Sequence, residues 1–222
     1  QIQTKSSIDA KTIKVLNPKE VVFEGGRELE LDAVSEVPRY YVCNAYGVCG
    51  IYSAPGTAVK EAYDTSGIVT NDRGVTVWLK GNRVSRNQIM AIKEESVTEQ
   101  KNSLAVCLDN ILRHAGITRN TEYDLAQGKT ATTILSENMT GVQVLDLSGC
   151  TLDAVLYYVN QDIPVLAILE DGEAVLVTGF NEFNVVIMEP ATGKLYKKGM
   201  NDATAWFAEN GNHFITYMRT EN

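Results

Sequence analysis

The sequence predicts an α+β fold, with a layer of helices against an antiparallel sheet and a smaller ββαββ segment in front of it. Three stretches carry that expectation. Val175-Leu176-Val177-Thr178-Gly179-Phe180 and Val185-Val186-Ile187-Met188-Glu189-Pro190 are apolar runs separated by Asn181-Glu182-Phe183-Asn184. Continuous apolar runs of that length bounded by turn residues fit a hairpin covered on both faces. Upstream, Thr151–Asn160 places apolar residues at helical spacing, and Ile163–Leu169 follows as another buried strand. Helices early and antiparallel strands late is the order of an α+β domain.

Composition narrows the partners. Of 222 residues, 44% are hydrophobic and 22% charged, enough to build a core. Lys and Arg number 20 against 28 Asp and Glu, a net charge of -8. With no clustered cations, nucleic acid and anionic membrane surfaces are excluded as expected partners. No apolar run reaches the length of a transmembrane helix. A chain that starts at Gln1 rather than Met is expected to be a processed product, compatible with export.

Three regions are expected. Residues 1–37 alternate polar and apolar positions around Ile13, Val15, Val21, Val22, Phe23, Leu29 and Leu31, a β-rich arm with a turn at Gly25-Gly26. Residues 38–92 form the small ββαββ module. Its strands are Tyr40–Cys43 and Val48–Tyr52, a helix starts at Pro55-Gly56, and strands at Ile68-Val69 and Val75–Leu79 follow. Residues 93–222 form the larger domain. It adds short helices at Glu122–Gly128 and Ala131–Ser136, a connecting strand at Val142–Leu147, a strand at Gly193–Lys198, a helix at Asp202–Ala208 and a last strand at Asn212–Tyr217.

Two features of the small module invite a chemical reading. Lys80–Asn87 is the one locally basic stretch and lies beside Trp78. It is either a cationic grip for an acidic or saccharide ligand with Trp78 as a stacking platform, or a solvated linker beside a core tryptophan, and the second is preferred. Cys43 and Cys49 face each other if the hairpin loop spans Ala45–Gly47, which permits a disulfide; buried free thiols are the alternative. Cys107 and Cys150 complete the set, and no pair has Cys-x-x-Cys spacing, so neither metal nor cofactor is expected.

In the larger domain, Ser96-Val97-Thr98-Glu99 has the form of a capping box, although the helix that follows has an alternative start near Asn102. That helix, Asn102–Gly116, together with Ile163–Ala167, Gly172–Phe180 and Glu189-Pro190, resembles the papain-like bacterial cysteine peptidases that trim double-glycine leaders during bacteriocin export. The resemblance covers roughly residues 96–217. It implies a nucleophilic cysteine at a helix N-terminus, a histidine on the strand that ends in Gly-aromatic, and an Asp-Pro strand end. Here those three slots hold Ser103, Glu173 and Glu189, and Gln100 falls near the position of the oxyanion donor. A cysteine peptidase needs a thiolate made by an imidazole that a third group orients. A carboxylate at its ordinary pKa replaces that imidazole poorly.

The resemblance therefore implies a degenerate triad. We expect a catalytically inactive papain-like domain that binds or scaffolds a peptide or protein outside, or on the surface of, a Gram-positive-type bacterial cell. Gln100, Ser103, Glu173 and Glu189 would line the ligand cleft, and the two carboxylates would favour a cationic ligand. Two alternatives stand beside it. An active peptidase would pair Cys107 with His213; His114, two turns beyond Cys107 on one helix, is too far from it to serve. A purely structural surface domain would fill its groove with side chains such as Tyr157 or Phe183.

Overall fold

The computed structural model describes the backbone of residues 13–17, 20–23 and 27–29, and residues 38–81, 83–90, 92–94 and 102–220 in full. The chain falls into two compact units, Gln1–Val37 and Pro38–Asn222. In the first, β1 (Ile13–Asn17), β2 (Glu20–Phe23) and β3 (Arg27–Leu29) pair antiparallel in the order β1-β2-β3. The arm thus holds three strands. The Gly25-Gly26 turn lies outside the described residues.

The second unit opens with β4 (Tyr40–Cys43), β5 (Cys49–Tyr52), helix α1 (Pro55–Thr65), β6 (Ile68–Asn71) and β7 (Thr76–Leu79). These strands form an antiparallel sheet in the order β5-β4-β6-β7. Alternation and register decide its faces: Tyr40, Val42, Val69 and Trp78 share the inner face with Ala58, Val59 and Ala62 of α1, all buried, and Val77 is buried at a register shift in β7. Cys43 and Cys49 are opposite each other in the register and form a disulfide.

The remainder contains α2 (Ser103–His114), α3 (Glu122–Ala126), α4 (Ala131–Asn138), β8 (Val142–Asp146), α5 (Leu152–Asn160), β9 (Val165–Ile168), β10 (Ala174–Phe180), β11 (Asn184–Glu189), β12 (Lys194–Gly199), α6 (Met200–Glu209) and β13 (His213–Arg219). The six strands pair antiparallel in the order β12-β11-β10-β9-β13-β8. All seven residues of β10 are buried, and both α2 and α5 pack on it. A strand sealed on both sides is what the unbroken apolar run of the hairpin requires. The last strand is not at the margin. β13 lies between β9 and β8, because Phe214–Met218 are buried without interruption whereas β8 is mostly half-buried and suits an edge.

The ββαββ segment shares its core with these elements. Trp78 Nε1 donates to the Ala154 carbonyl at 3.0 Å and Tyr158 Oη donates to the Val77 carbonyl at 3.0 Å. Gln143 Nε2 donates to Tyr40 Oη at 2.8 Å, and Asn71 Nδ2 donates to Gln143 Oε1 at 3.2 Å. Each bond satisfies a polar atom that burial would otherwise leave costly.

Residues 83–90 lie along this junction as a strap. Arg83 bonds Asp153, Arg86 Nη1 donates to Asp162 Oδ1 at 2.9 Å, and Val84 N donates to Asn160 Oδ1 at 3.0 Å. Pairing of β9 with β10 stops at Val165 opposite Val177, and Pro164 before it has no N–H to give. The strap continues the ladder there: Ile89 N donates to the Thr178 carbonyl at 2.8 Å and Phe180 N to the Arg86 carbonyl at 2.5 Å. Gly179 makes this possible, since a Cβ there would sit 2.5 Å from the Asn87 carbonyl oxygen and 2.8 Å from that of Arg86.

Both clashing atoms are backbone, so Gly179→Ala must displace the strap or bend β10. We expect a loss of roughly 2 kcal/mol or more in denaturant unfolding. A variant as stable as the parent would show that the strap does not depend on this contact.

Candidate functional site

Helix α2 begins where its own sequence allows. Asn102 Oδ1 accepts from Leu104 N at 2.9 Å and from Ala105 N at 3.3 Å, so Asn102 is the cap and Ser103 the first helical residue. The Ser96–Glu99 capping box and Gln100 lie outside the described residues. Ser103 points at the sheet: its Oγ accepts the N–H of Ala174, the first residue of β10, at 2.9 Å. Glu173 precedes that amide and is exposed. A tight turn fixes it there, with its carbonyl accepting from Leu169 N at 2.8 Å and its N–H donating to Asp171 Oδ1 at 3.0 Å.

Glu189 closes β11. The register Leu176↔Met188 puts the start of β10 and the end of β11 at one end of the sheet, so Glu173 and Glu189 share that end. Glu189 is exposed and accepts from Thr192 Oγ1 at 2.7 Å. Burial first, and then the Glu189 charge, push the Tyr196 phenol above its ordinary range. The fold thus gathers Ser103 and Glu173 around the Ala174 amide and brings Glu189 to the same end of the adjacent strand.

Cys107 sits one turn after Ser103 and is 0% exposed. Burial, reinforced by the Glu173 carboxylate, pushes its thiol well above the usual range, which keeps it protonated and unreactive. His213 opens β13 on the exposed surface, and its ring packs back on Gly211. Ile168 pairs with both Ala174 and His213, so His213 stands two strand spacings, roughly 9–10 Å, from Ala174 along the same sheet end. His114, at the other end of α2, donates from Nε2 to the Asp162 carbonyl at 2.6 Å, and its side chain is 6% exposed. Among the described residues neither of the chain's two histidines, His114 and His213, hydrogen-bonds Ser103 or Glu173.

Other candidates resolve structurally. Trp78 is 2% exposed and cannot serve as an open stacking platform. Arg83 and Arg86 are engaged by Asp153 and Asp162, and Lys80 Nζ stands 4.9 Å from the Tyr63 ring centroid. The basic stretch is therefore spent on the strap. Tyr157 packs against Trp78 at 6.2 Å between centroids, and Phe183 is exposed in the β10–β11 turn, at the far end of β10 from Ala174. Neither fills the Ser103 end. Among the described residues no group of three His, Cys, Asp or Glu is placed to hold a metal ion, and no helix is long and apolar enough to cross a membrane. The Ala174 amide was invisible in the sequence, since a backbone N–H has no residue signature; the Asn102 cap did have one, in Asn-Ser-Leu.

No protein-family description matches the sequence, and no curated protein matches it. Among solved structures, a Bacillus anthracis protein with the provisional designation C39-like peptidase superposes with a TM-score of 0.53 at 12% identity. The match covers 63% of this chain and 100% of that one. The chain has a C39-like peptidase fold. At this identity the likeness concerns architecture, the α+β arrangement of helices against an antiparallel sheet, and extends to no residue role.

The buried thiols give a pH signature. Cys107 is raised, and Cys150 is pushed up to about 12 by burial and by Asp146. In the unfolded chain both titrate near 9.0. Above that pH the native state holds more protons than the unfolded one. The stabilisation is complete below pH 9 and is lost as pH rises, by up to about 1.4 kcal/mol per pH unit for each thiol. Denaturation measured across alkaline pH should fall less steeply in Cys107→Ala than in the parent. Alkylation at neutral pH should reach Cys107 only after unfolding; rapid native labelling would contradict the burial.

Proposed function

We propose that this protein is a catalytically inactive member of the papain-like fold, a pseudopeptidase that holds an extended cationic peptide or protein segment at the Ser103–Glu173–Glu189 end of its sheet. One observation carries the reading: Ser103 Oγ is taken up by the Ala174 amide beside a carboxylate, with no imidazole at hand. A hydroxyl needs a base whose pKa is near the working pH, and Glu173 is an exposed carboxylate. The family resemblance in the sequence and the C39-like fold support reading this end of the sheet as the peptide site. Two exposed carboxylates at one end of a chain of net charge -8 favour a cationic segment. Main-chain pairing of the kind used in strand addition would supply affinity that does not depend on catalysis.

A setting outside the cell, or on its surface, accompanies this reading. The Cys43–Cys49 disulfide is compatible with an oxidising compartment, and reducing cytosol would work against it. The competing reading, a thiol peptidase using Cys107 and His213, has less support because the thiol is sealed and the histidine faces solvent.

Fluorescence anisotropy with extended basic and acidic peptides, followed by mass spectrometry of the mixtures, separates the two. The expected result is retention of the basic peptide without cleavage, and an affinity about fivefold weaker in Glu173→Gln, the worth of roughly 1 kcal/mol for one exposed charge. Binding unchanged in Glu173→Gln would remove Glu173 from the site. Cleavage that Cys107→Ala abolishes would establish the peptidase instead.

A further inference from the structure

Glu173 belongs to no strand or helix, so something other than regular structure has to fix it. It ends the tight turn Leu169-Glu170-Asp171-Gly172-Glu173 between β9 and β10. Part of the turn is held from within: Leu169 N donates to the Glu173 carbonyl at 2.8 Å, Gly172 N to the Leu169 carbonyl at 3.0 Å, and Glu173 N to Asp171 Oδ1 at 3.0 Å. Gly172 stands at a φ of 84°, which glycine adopts without a steric cost. One further tie comes from outside. Glu170 N donates to Asn210 Oδ1 at 3.3 Å, across 40 positions of sequence.

Asn210 is the residue that ends α6. Asparagine at a helix end is ordinarily explained by the cap itself. Here the backbone closes the helix without the side chain: Asn210 N donates to the Trp206 carbonyl at 3.1 Å, Gly211 N to that of Ala208 at 3.1 Å, and Asn212 N to that of Phe207 at 2.9 Å. The side chain spans a gap instead. Its Nδ2 donates to the Trp206 carbonyl at 2.9 Å, and with the donor end fixed there the acceptor end is the one that meets Glu170. The same connection leads into β13, where His213 pairs with Ile168 at the foot of the turn. A single amide thus joins the α6–β13 connection to the β9–β10 turn.

We infer that Asn210 is a positioning residue of the Ser103 end: it clasps the turn through the Glu170 amide and so fixes the place of the Glu173 carboxylate that a basic peptide would meet. The assignment rests on the peptide-binding reading given above and adds to it a residue that acts through Glu173 rather than on the ligand. Without the clasp Glu173 is tied only through its own turn, and binding must order it again each time. The loss is expected to be modest, because Asp171 and the ladder of β10 keep the turn in place.

Fluorescence anisotropy with the extended basic peptide on the parent, Asn210→Ala, Glu173→Gln and the double variant tests it. Asn210→Ala is expected to bind about threefold more weakly than the parent, and the double variant no more weakly than Glu173→Gln alone, since a residue acting through Glu173 loses its effect once that charge is gone. Hydrogen exchange supplies a local readout. The Glu170 amide should exchange faster in Asn210→Ala and return to the parental rate in Asn210→Asp, which keeps an acceptor facing it, while the Leu176 amide is unchanged in both. Should Asn210→Ala fail to fold, Asn210→Ser takes its place, its hydroxyl being too short to reach Glu170.

The failures are distinguishable. A parent that does not retain the basic peptide overturns the peptide-binding reading and this assignment with it. Binding weakened by Glu173→Gln but not by Asn210→Ala, or two losses that simply add in the double variant, overturns the assignment and leaves the reading standing. A Glu170 exchange rate indifferent to residue 210 overturns the assignment as well.

Discussion

The sealing of β10 is the constraint on which the rest of this molecule depends. Seven consecutive residues of one strand are buried, so both of its faces and both of its edges must be occupied by protein. Helices α2 and α5 pack on it, β9 and β11 flank it, and where β9 runs out at Pro164 the strap takes over the ladder. Thr178 is the one polar side chain of β10, and its carbonyl is claimed by Ile89. Each neighbour has its place because a gap at β10 would leave unpaired backbone in an apolar interior.

That constraint also explains why the small ββαββ segment does not stand clear of the larger sheet. The strap that completes β10 leaves from β7, and its arginines bond Asp153 and Asp162 at the two ends of α5. Trp78 and Tyr158 then meet across the resulting seam, each giving its polar hydrogen to a backbone carbonyl of the other side. Aromatic residues with one polar handle suit such a seam, since they bury area and still satisfy the handle. The basic stretch, preferred from the sequence as a linker beside a core tryptophan rather than a ligand grip, places Arg83 and Arg86 where they hold the strap in register.

At the opposite end of β10 the N-terminus of α2 meets the first residue of the strand. A helix N-terminus abuts the first residue of a buried strand, the arrangement that in an active thiol enzyme brings nucleophile and base together. Here the helix offers a hydroxyl, the strand offers a carboxylate, and the hydroxyl is already committed to a backbone amide. The nearby thiol of Cys107 is below the surface and held protonated. Glu173 and Glu189 are exposed at that end.

The sequence by itself determined the elements and the identity of the core. The apolar runs of β9, β10 and β11 and the helical stripe that buries Cys107 were legible, because period and residue type are local properties. The ββαββ order and the opposition of Cys43 and Cys49 were legible as well, although whether the thiols join was not. Only the tertiary structure decided what meets across distance. The hydrogen bond from Ala174 to Ser103 spans 71 positions, Trp78 reaches Ala154 across 76, and β13 inserts between β9 and β8 rather than closing the sheet. Such contacts leave no trace in a local pattern: they arise because one sealed strand must be satisfied on every side, and the chain answers with whatever distant segment can reach.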